Sequence, residues 1–225
     1  MKYLIDSANP ALVREILEFY PAEGVTTNPT IAARERCDFK RMLREMRAAV
    51  GDRMIHAQTL RTRADDMVRE ALALRDFVGE PFFVKIPACP EGLKALMALK
   101  RQGVGVTMTA IFAPQQALIA ARAGADFVAP YVNKLDDAGD GEGCVEKIVS
   151  LFRTFDLPTK VLSASFRNVA QVTRVALSGS DYVTLPPAFF PKLIGHPMTD
   201  LAVKGFEADW ADAFGASFPE DLVSE

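Results

Sequence analysis

A lysine stands in this sequence where its neighbours are those of a buried strand. Lys85 interrupts the apolar run FFVKIP (82–87), whereas Lys94 and Lys100 fall in a helical pattern, Lys160 opens a strand, and Lys134 follows one in a loop. An ammonium ion pointing into an apolar core is costly, so desolvation lowers its pKa and frees the amine to attack a carbonyl carbon. The competing reading is a strand-end lysine whose stem runs along apolar surface to water. Asp6 closes the run KYLID. A carboxylate there can take a proton from a substrate hydroxyl during carbon–carbon cleavage, or it can serve a turn or helix start before Pro10. Amine attack on a carbonyl with a carboxylate as base is the chemistry these two residues suggest.

Other chemistries have less to stand on. His56 and His196 are the only histidines, too few for a histidine metal cluster and a poor basis for a Ser/His/Asp hydrolase. Cys37, Cys89 and Cys144 are odd in number, widely spaced and without a C-x-x-C pair, which fits reduced thiols better than a disulfide framework or a zinc site. Neither a metal nor a cofactor is expected.

These residues need a scaffold, and the chain repeats one. Strand patterns read KYLID (2–6), GVTT (24–27), MIHAQ (54–58), FFVKIP (82–87), VGVTMT (104–109), DFVAPY (126–131), KVLSAS (160–165) and DYVTL (181–185). Amphipathic segments such as PALVREILEFY, ADDMVREALALRDFV and CVEKIVSLFRTF lie between them, and several end on a glycine suited to a helix C-cap. Strict alternation implies a parallel sheet with right-handed crossovers. Eight units in this length favour a single (β/α)8 TIM barrel, an α/β fold, over an open doubly wound sheet, and no G-x-G-x-x-G follows the first strand. HPMTDLAVKGFEADWADAFG adds a C-terminal helix whose spare apolar face is expected to pack on the barrel base or on a neighbouring subunit. One domain over 1–215 is therefore expected, with an acidic, flexible tail over 216–225.

In such a barrel the strand C-termini form the working face. The polar residues expected there are Asp6, Thr26, Thr27, Asn28, Gln58, Lys85, Thr109, Tyr131, Ser165 and Thr184. Singly, each could merely cap a helix or meet solvent. Their convergence on one mouth is what argues for a site.

Acidic and basic residues, 29 and 26 in number, interleave along the chain, so no extended positive face exists for a phosphate backbone. Nucleic acid is not an expected partner. Pro10 and Asp6 break any signal-peptide core in MKYLIDSANP, and no run approaches a membrane span, so a cytoplasmic protein without membrane contact is expected.

In order along the chain, YLIDSAN, GVTTNPT, HAQT, VKIP with EGLKAL, TMTAIF with QQAL, GADFVAPYVN, VLSASFRN, VTLP and FEADWADAFG resemble the small transaldolase and fructose-6-phosphate aldolase family. The likeness covers nearly the whole chain. It implies a Schiff-base lysine matching Lys85, a first-strand acid matching Asp6, and substrate-hydroxyl contacts from Thr26 and Asn28. Transaldolases of the family carry glutamate at Gln58, serine at Ala129 and phenylalanine at Tyr131, so these three positions follow the aldolase branch. Ser165 suits both branches. Arg167 looks more like the larger transaldolases, and Lys134 stands where arginine is usual, keeping the charge and losing the two-pronged contact.

The resemblance thus implies a class I aldolase that cleaves or forms fructose 6-phosphate from dihydroxyacetone and glyceraldehyde 3-phosphate, with Lys134, Ser165 and Arg167 on the phosphate. Gln58, Thr109 and Tyr131 would hold the hydrolytic water, the Tyr131 hydroxyl moving its proton. The alternative is a transaldolase passing a dihydroxyacetone unit between sugar phosphates. A ring-like homo-oligomer, a pentamer or decamer held partly by the helix around Trp210, is also implied.

Overall fold

The structure, a computed structural model, describes residues 1–139 and 143–223. Among them eight parallel strands close a barrel in chain order: β1 (Lys2–Asp6), β2 (Ala22–Thr26), β3 (Met54–Gln58), β4 (Phe82–Pro87), β5 (Gly105–Ile111), β6 (Phe127–Pro130), β7 (Lys160–Ser163) and β8 (Tyr182–Leu185), the last pairing with the first. The expected fold class is therefore the observed one. Around the barrel run α1 (Pro10–Phe19), α2 (Pro29–Glu35), α3 (Phe39–Val50), α4 (Ala64–Val78), α5 (Pro90–Lys100), α6 (Pro114–Arg122), α7 (Val132–Asp137), α8 (Cys144–Thr154) and α9 (Val169–Leu177).

Local chemistry explains where many helices start. Asn9 caps α1, its Oδ1 accepting from the Ala11 and Leu12 amides at 3.1 and 3.2 Å, and Pro10 takes the first turn, where an N–H would have no helical partner. Asn28–Pro29 and Cys89–Pro90 repeat this junction at α2 and α5. At α6 Pro114 follows Ala113, which has no capping side chain, while Gln116 Oε1 accepts from the Phe112 and Ala113 amides. In α3 the buried residues Met42, Leu43, Met46 and Val50 share one face, each contributing about 1.5–3 kcal/mol by leaving water, while Lys40, Arg41 and Arg44 stay exposed.

Period-two alternation decides what fills the barrel. Leu4, Phe127 and Leu162 form the floor, with Met54, Phe83 and Tyr182 packed against them. Two residues further along β1, β3 and β4 come Asp6, His56 and Lys85. Gly105 faces Phe83 across β4–β5, and a Cβ there would stand 2.6 Å from the Phe83 ring, so a glycine is what lets the floor close.

Several boundaries differ from the expected ones. β2 begins and ends earlier, at Ala22 and Thr26, leaving Thr27 just past the strand. β6 stops at Pro130 and β7 at Ser163, because Tyr131 becomes the N-cap of α7 and Ser165 turns to φ 64°. β5 runs on to Ile111 through an irregularity at Ala110, whose φ is 57°, so Thr109 lies inside the strand rather than at its end.

The chain falls into two compact units, Met1–Phe190 and Pro191–Glu225. In the second, α11 (Pro197–Phe214) follows α10 (Phe190–Ile194) and is capped by His196, whose Nδ1 accepts from the Met198 amide at 3.1 Å. The Trp210 ring meets Phe214 at 4.5 Å, and its Nε1 donates to the Ser217 carbonyl at 2.6 Å. A short helix, α12 (Pro219–Val223), lies in the segment expected to be a flexible tail. No helix of the described residues is long and apolar enough to cross a membrane.

Candidate active site

β4 carries Lys85 into the barrel with 4% of its surface exposed. Its Nζ donates to the Thr27 carbonyl at 2.9 Å, and that residue is itself held by its own amide donating to the His56 carbonyl at 2.9 Å. Burial pushes the Lys85 pKa down, and the charge of Asp6 partly opposes this. A neutral amine that donates one proton to Thr27 keeps its lone pair for a carbonyl carbon.

Asp6 is pushed the other way. Burial raises its pKa, while Lys85 and a hydrogen bond from Thr26 pull it back. The Thr26 hydroxyl donates to Asp6 Oδ1 at 2.7 Å and lies 2.6 Å from the Thr184 hydroxyl. A hydroxyl has one proton to give, so the direction is determined: Thr184 donates to Thr26, which donates to Asp6. Thr26 and Thr184 are both buried, which ties β1, β2 and β8 into one chain of bonds ending at the carboxylate.

Opposite them, Thr109 and Tyr131 pair through their hydroxyls at 3.2 Å. Burial raises the pKa of the Tyr131 phenol, Thr109 lowers it, and the charge of Asp6 raises it further. The left-handed Ala110 lets the Ile111 carbonyl accept from the Tyr131 amide at 3.2 Å, so the strand irregularity sets where the phenol stands. Gln58 is the register partner of Lys85, and its buried Oε1 has no hydrogen-bond partner among the described residues. Beside it opens a cleft of about 320 Å³ lined by Thr27, Asn28, Gln58, Leu60 and Leu74 among others.

The anion-binding candidates are placed differently. Lys134 is exposed on α7, and Arg167 is exposed on the turn before α9. Ser165 is half-buried, its carbonyl accepting from the Asn133 amide at 2.8 Å. Asn28 spends its Oδ1 on the Ile31 amide at 3.0 Å as the N-cap of α2, so its amide NH₂ is what it can offer a substrate.

Two residues gain roles that the sequence did not give them. Thr184 was visible as a strand end, yet only the contact with Thr26 gives it a role. His56 was weighed only as a metal or triad member. Its ring stacks on Phe83 at 4.8 Å, meets the edge of Phe127 at 5.0 Å, and its Nδ1 lies 2.9 Å from the Thr107 hydroxyl. Burial, helped by Lys85, pushes its pKa down to about 3, so it stays neutral. Among the described residues no group of three His, Cys, Asp or Glu gathers to hold a metal ion.

Residues 3–223 match the family described as transaldolase/fructose-6-phosphate aldolase. A protein of Exiguobacterium sibiricum named probable transaldolase is 40% identical over 214 residues, covering 95% of this chain and 99% of its own. Proteins with the same name from Aquifex aeolicus and Symbiobacterium thermophilum are 38% and 40% identical, covering 93% and 96% of this chain and 96% and 99% of their own. Among solved structures, a mandelate oxidase variant carrying a monooxide FMN adduct superposes with a TM-score of 0.58 over 92% of this chain and 68% of its own. At 15% identity that likeness is one of fold alone.

Proposed function

The chain belongs to the transaldolase/fructose-6-phosphate aldolase family, and on that premise we propose that Lys85 forms a Schiff base with the C2 carbonyl of a ketose phosphate and carries away a dihydroxyacetone unit. One observation carries the reading: an amine buried at the barrel mouth, with its pKa lowered and a carboxylate close enough to act on it electrostatically.

Neutral Lys85 attacks C2, and loss of water leaves an iminium ion. The protonated Schiff base keeps a positive charge beside Asp6, which favours Asp6 as a carboxylate at the step that needs a base. Asp6 then takes the C4 hydroxyl proton and the C3–C4 electron pair moves into the iminium. An aldose phosphate leaves, and a dihydroxyacetone enamine stays on Lys85. The Thr184–Thr26 chain stabilises the carboxylate through each turnover. The Asn28 amide is the proposed donor to a substrate hydroxyl, while Thr26, its proton spent on Asp6, is left only a lone pair for one. Lys134, Ser165 and Arg167 are the proposed contacts to the phosphate.

The enamine has two fates. The names borne by the relatives favour its transfer to a second aldose phosphate, which is the transaldolase reaction. Protonation and hydrolytic release of dihydroxyacetone, the fructose-6-phosphate aldolase reaction, is favoured by the Thr109–Tyr131 hydroxyl pair and the unpartnered Gln58 Oε1, which can together hold a water while the protonated Tyr131 phenol gives its proton to the enamine. The enzyme would work in the cytoplasm as a homo-oligomer. The exposed Met198, Leu201, Phe206 and Phe214 of α11 suit a second copy of the chain.

Borohydride added with fructose 6-phosphate is expected to fix a dihydroxyacetone adduct on Lys85, detectable by peptide mass. Absence of an adduct under turnover conditions would overturn the Schiff base. Erythrose 4-phosphate then separates the fates, since transfer makes sedoheptulose 7-phosphate only when it is present and release makes dihydroxyacetone without it.

A further inference from the structure

Between the two segments that carry the proposed anion contacts lies a knot of side chains that itself reaches no substrate. Gln171, on α9 and 7% exposed, uses both ends of its amide. Its Oε1 accepts from the Arg167 backbone amide at 2.7 Å. Its Nε2 donates to Asp136 Oδ2 at 2.6 Å and to Asn133 Oδ1 at 3.4 Å, both on α7. Asp136 is also held by Arg174, whose Nη2 meets its two oxygens at 2.6 and 2.7 Å. Asn133 closes the loop through its backbone amide on the Ser165 carbonyl.

We infer that Gln171, backed by Asp136 and Arg174, is a positioning residue that holds Lys134, Ser165 and Arg167 at the spacing a phosphate monoester requires. The inference rests on the proposed function for the identity of the substrate, and on these contacts for the geometry. Lys134 and Arg167 are long, exposed cations on separate segments, and their side chains cannot by themselves keep a common focus. What fixes them is the backbone beneath. Gln171 pins that of Arg167 directly and that of Lys134 through its two flanking contacts on α7. Asp136 would otherwise repel a nearby phosphate, and Arg174 neutralises it while leaving its oxygens as acceptors for Gln171.

The test is a split between acceptors, with dihydroxyacetone as donor. Gln171→Met keeps the volume and removes both hydrogen-bonding ends. It is expected to raise KM for glyceraldehyde 3-phosphate by about tenfold or more and to leave kcat and the KM for unphosphorylated glyceraldehyde within about twofold. A KM rising equally for both acceptors, or a matching fall in kcat, would overturn positioning in favour of a general structural role. Gln171→Glu sets a carboxylate against Asp136 and should behave like the methionine variant. Adding Asp136→Asn restores the bond with its donor and acceptor exchanged, and should recover the phosphate KM. Failure of that rescue, with both proteins folded by circular dichroism, also overturns the inference. Inorganic phosphate titrated by calorimetry reads the same arm without chemistry. Weaker phosphate binding in Gln171→Met supports the inference even if borohydride traps nothing, whereas unchanged binding overturns it even if trapping succeeds.

Discussion

The two ends of the candidate site are built on opposite principles. At the proposed covalent end Lys85, Thr26 and Thr184 lie inside the barrel on strands, with Asp6 half-buried at the mouth, and their hydrogen bonds join strand residues to one another or to Thr27 just past the end of β2. At the proposed anion end Lys134 and Arg167 are exposed, carried by a short helix and a turn, with Gln171 accepting from the Arg167 backbone amide and donating to Asn133 and Asp136 on the helix of Lys134. A nucleophilic amine must be desolvated to be neutral, so its site has to be dry and rigid. A cation that binds a phosphate must stay charged, which burial would oppose, so its site is wet and needs support from below.

The largest test of this contrast is Lys85→Met, which fits the volume and lacks the amine. Cleavage should fall by roughly 10⁴-fold or more with a full loss of borohydride trapping, while thermal unfolding shows an intact fold. Residual turnover near the wild-type rate would remove the covalent end altogether. Arg167→Ala tests the other end. It should raise KM for phosphorylated substrates by about ten- to a hundredfold and barely touch dihydroxyacetone, since a contact remote from the reacting carbons supplies mainly binding. Equal effects on both would take Arg167 out of the anion arm.

Between the ends stand Gln58 and Tyr131, where the fate of the enamine is expected to be decided. A neutral amide can orient a water and cannot take its proton, so Gln58→Glu adds a base beside the iminium. We expect a several-fold rise in transfer to erythrose 4-phosphate relative to dihydroxyacetone release, on the order of 1 kcal/mol in partitioning. Tyr131→Phe should depress release more in the wild-type background than in Gln58→Glu. Ratios unmoved in all four proteins would mean that neither residue sets the reaction type.

The smallest effect concerns His56, which stands on the aromatic floor beside the proposed covalent end. His56 titrates near 6.5 unfolded and about 3 folded, so between those values the unfolded chain binds a proton that the native state refuses. Its burial therefore removes stability as pH falls from about 6.5 towards 3, and takes nothing above that window. His56→Phe keeps a ring against Phe83 and Phe127 and gives up the contact to Thr107. At neutral pH it should lose about 1 kcal/mol, while its acid-unfolding midpoint by circular dichroism should move to lower pH than that of the wild type. A midpoint shifted upward would contradict a neutral, buried imidazole.

Much of this was legible from residues in order. Eight apolar runs with amphipathic segments between them imply a parallel sheet and favour the closed barrel that is observed, and a lysine inside FFVKIP marks the strand on which an amine must be desolvated. These signals are local: period two, period 3.6 and one charge in the wrong company. The helices α2 and α7 were not legible, since short helices behind an Asn–Pro or Tyr–Val junction carry little periodicity, whereas α3 has Met42, Leu43, Met46 and Val50 on one face, a periodic signal that could have found it. What the tertiary structure alone decided are relations between residues far apart in the chain. The Thr184–Thr26–Asp6 chain spans more than a hundred residues, the Gln171 knot joins α7 to α9, and His56 gained a place only when Phe83, Phe127 and Thr107 closed around it. Sequence spacing encodes which face of a strand a side chain takes. Barrel closure and register decide which other side chain it meets there, and hydrogen bonds and pKa values follow from that meeting.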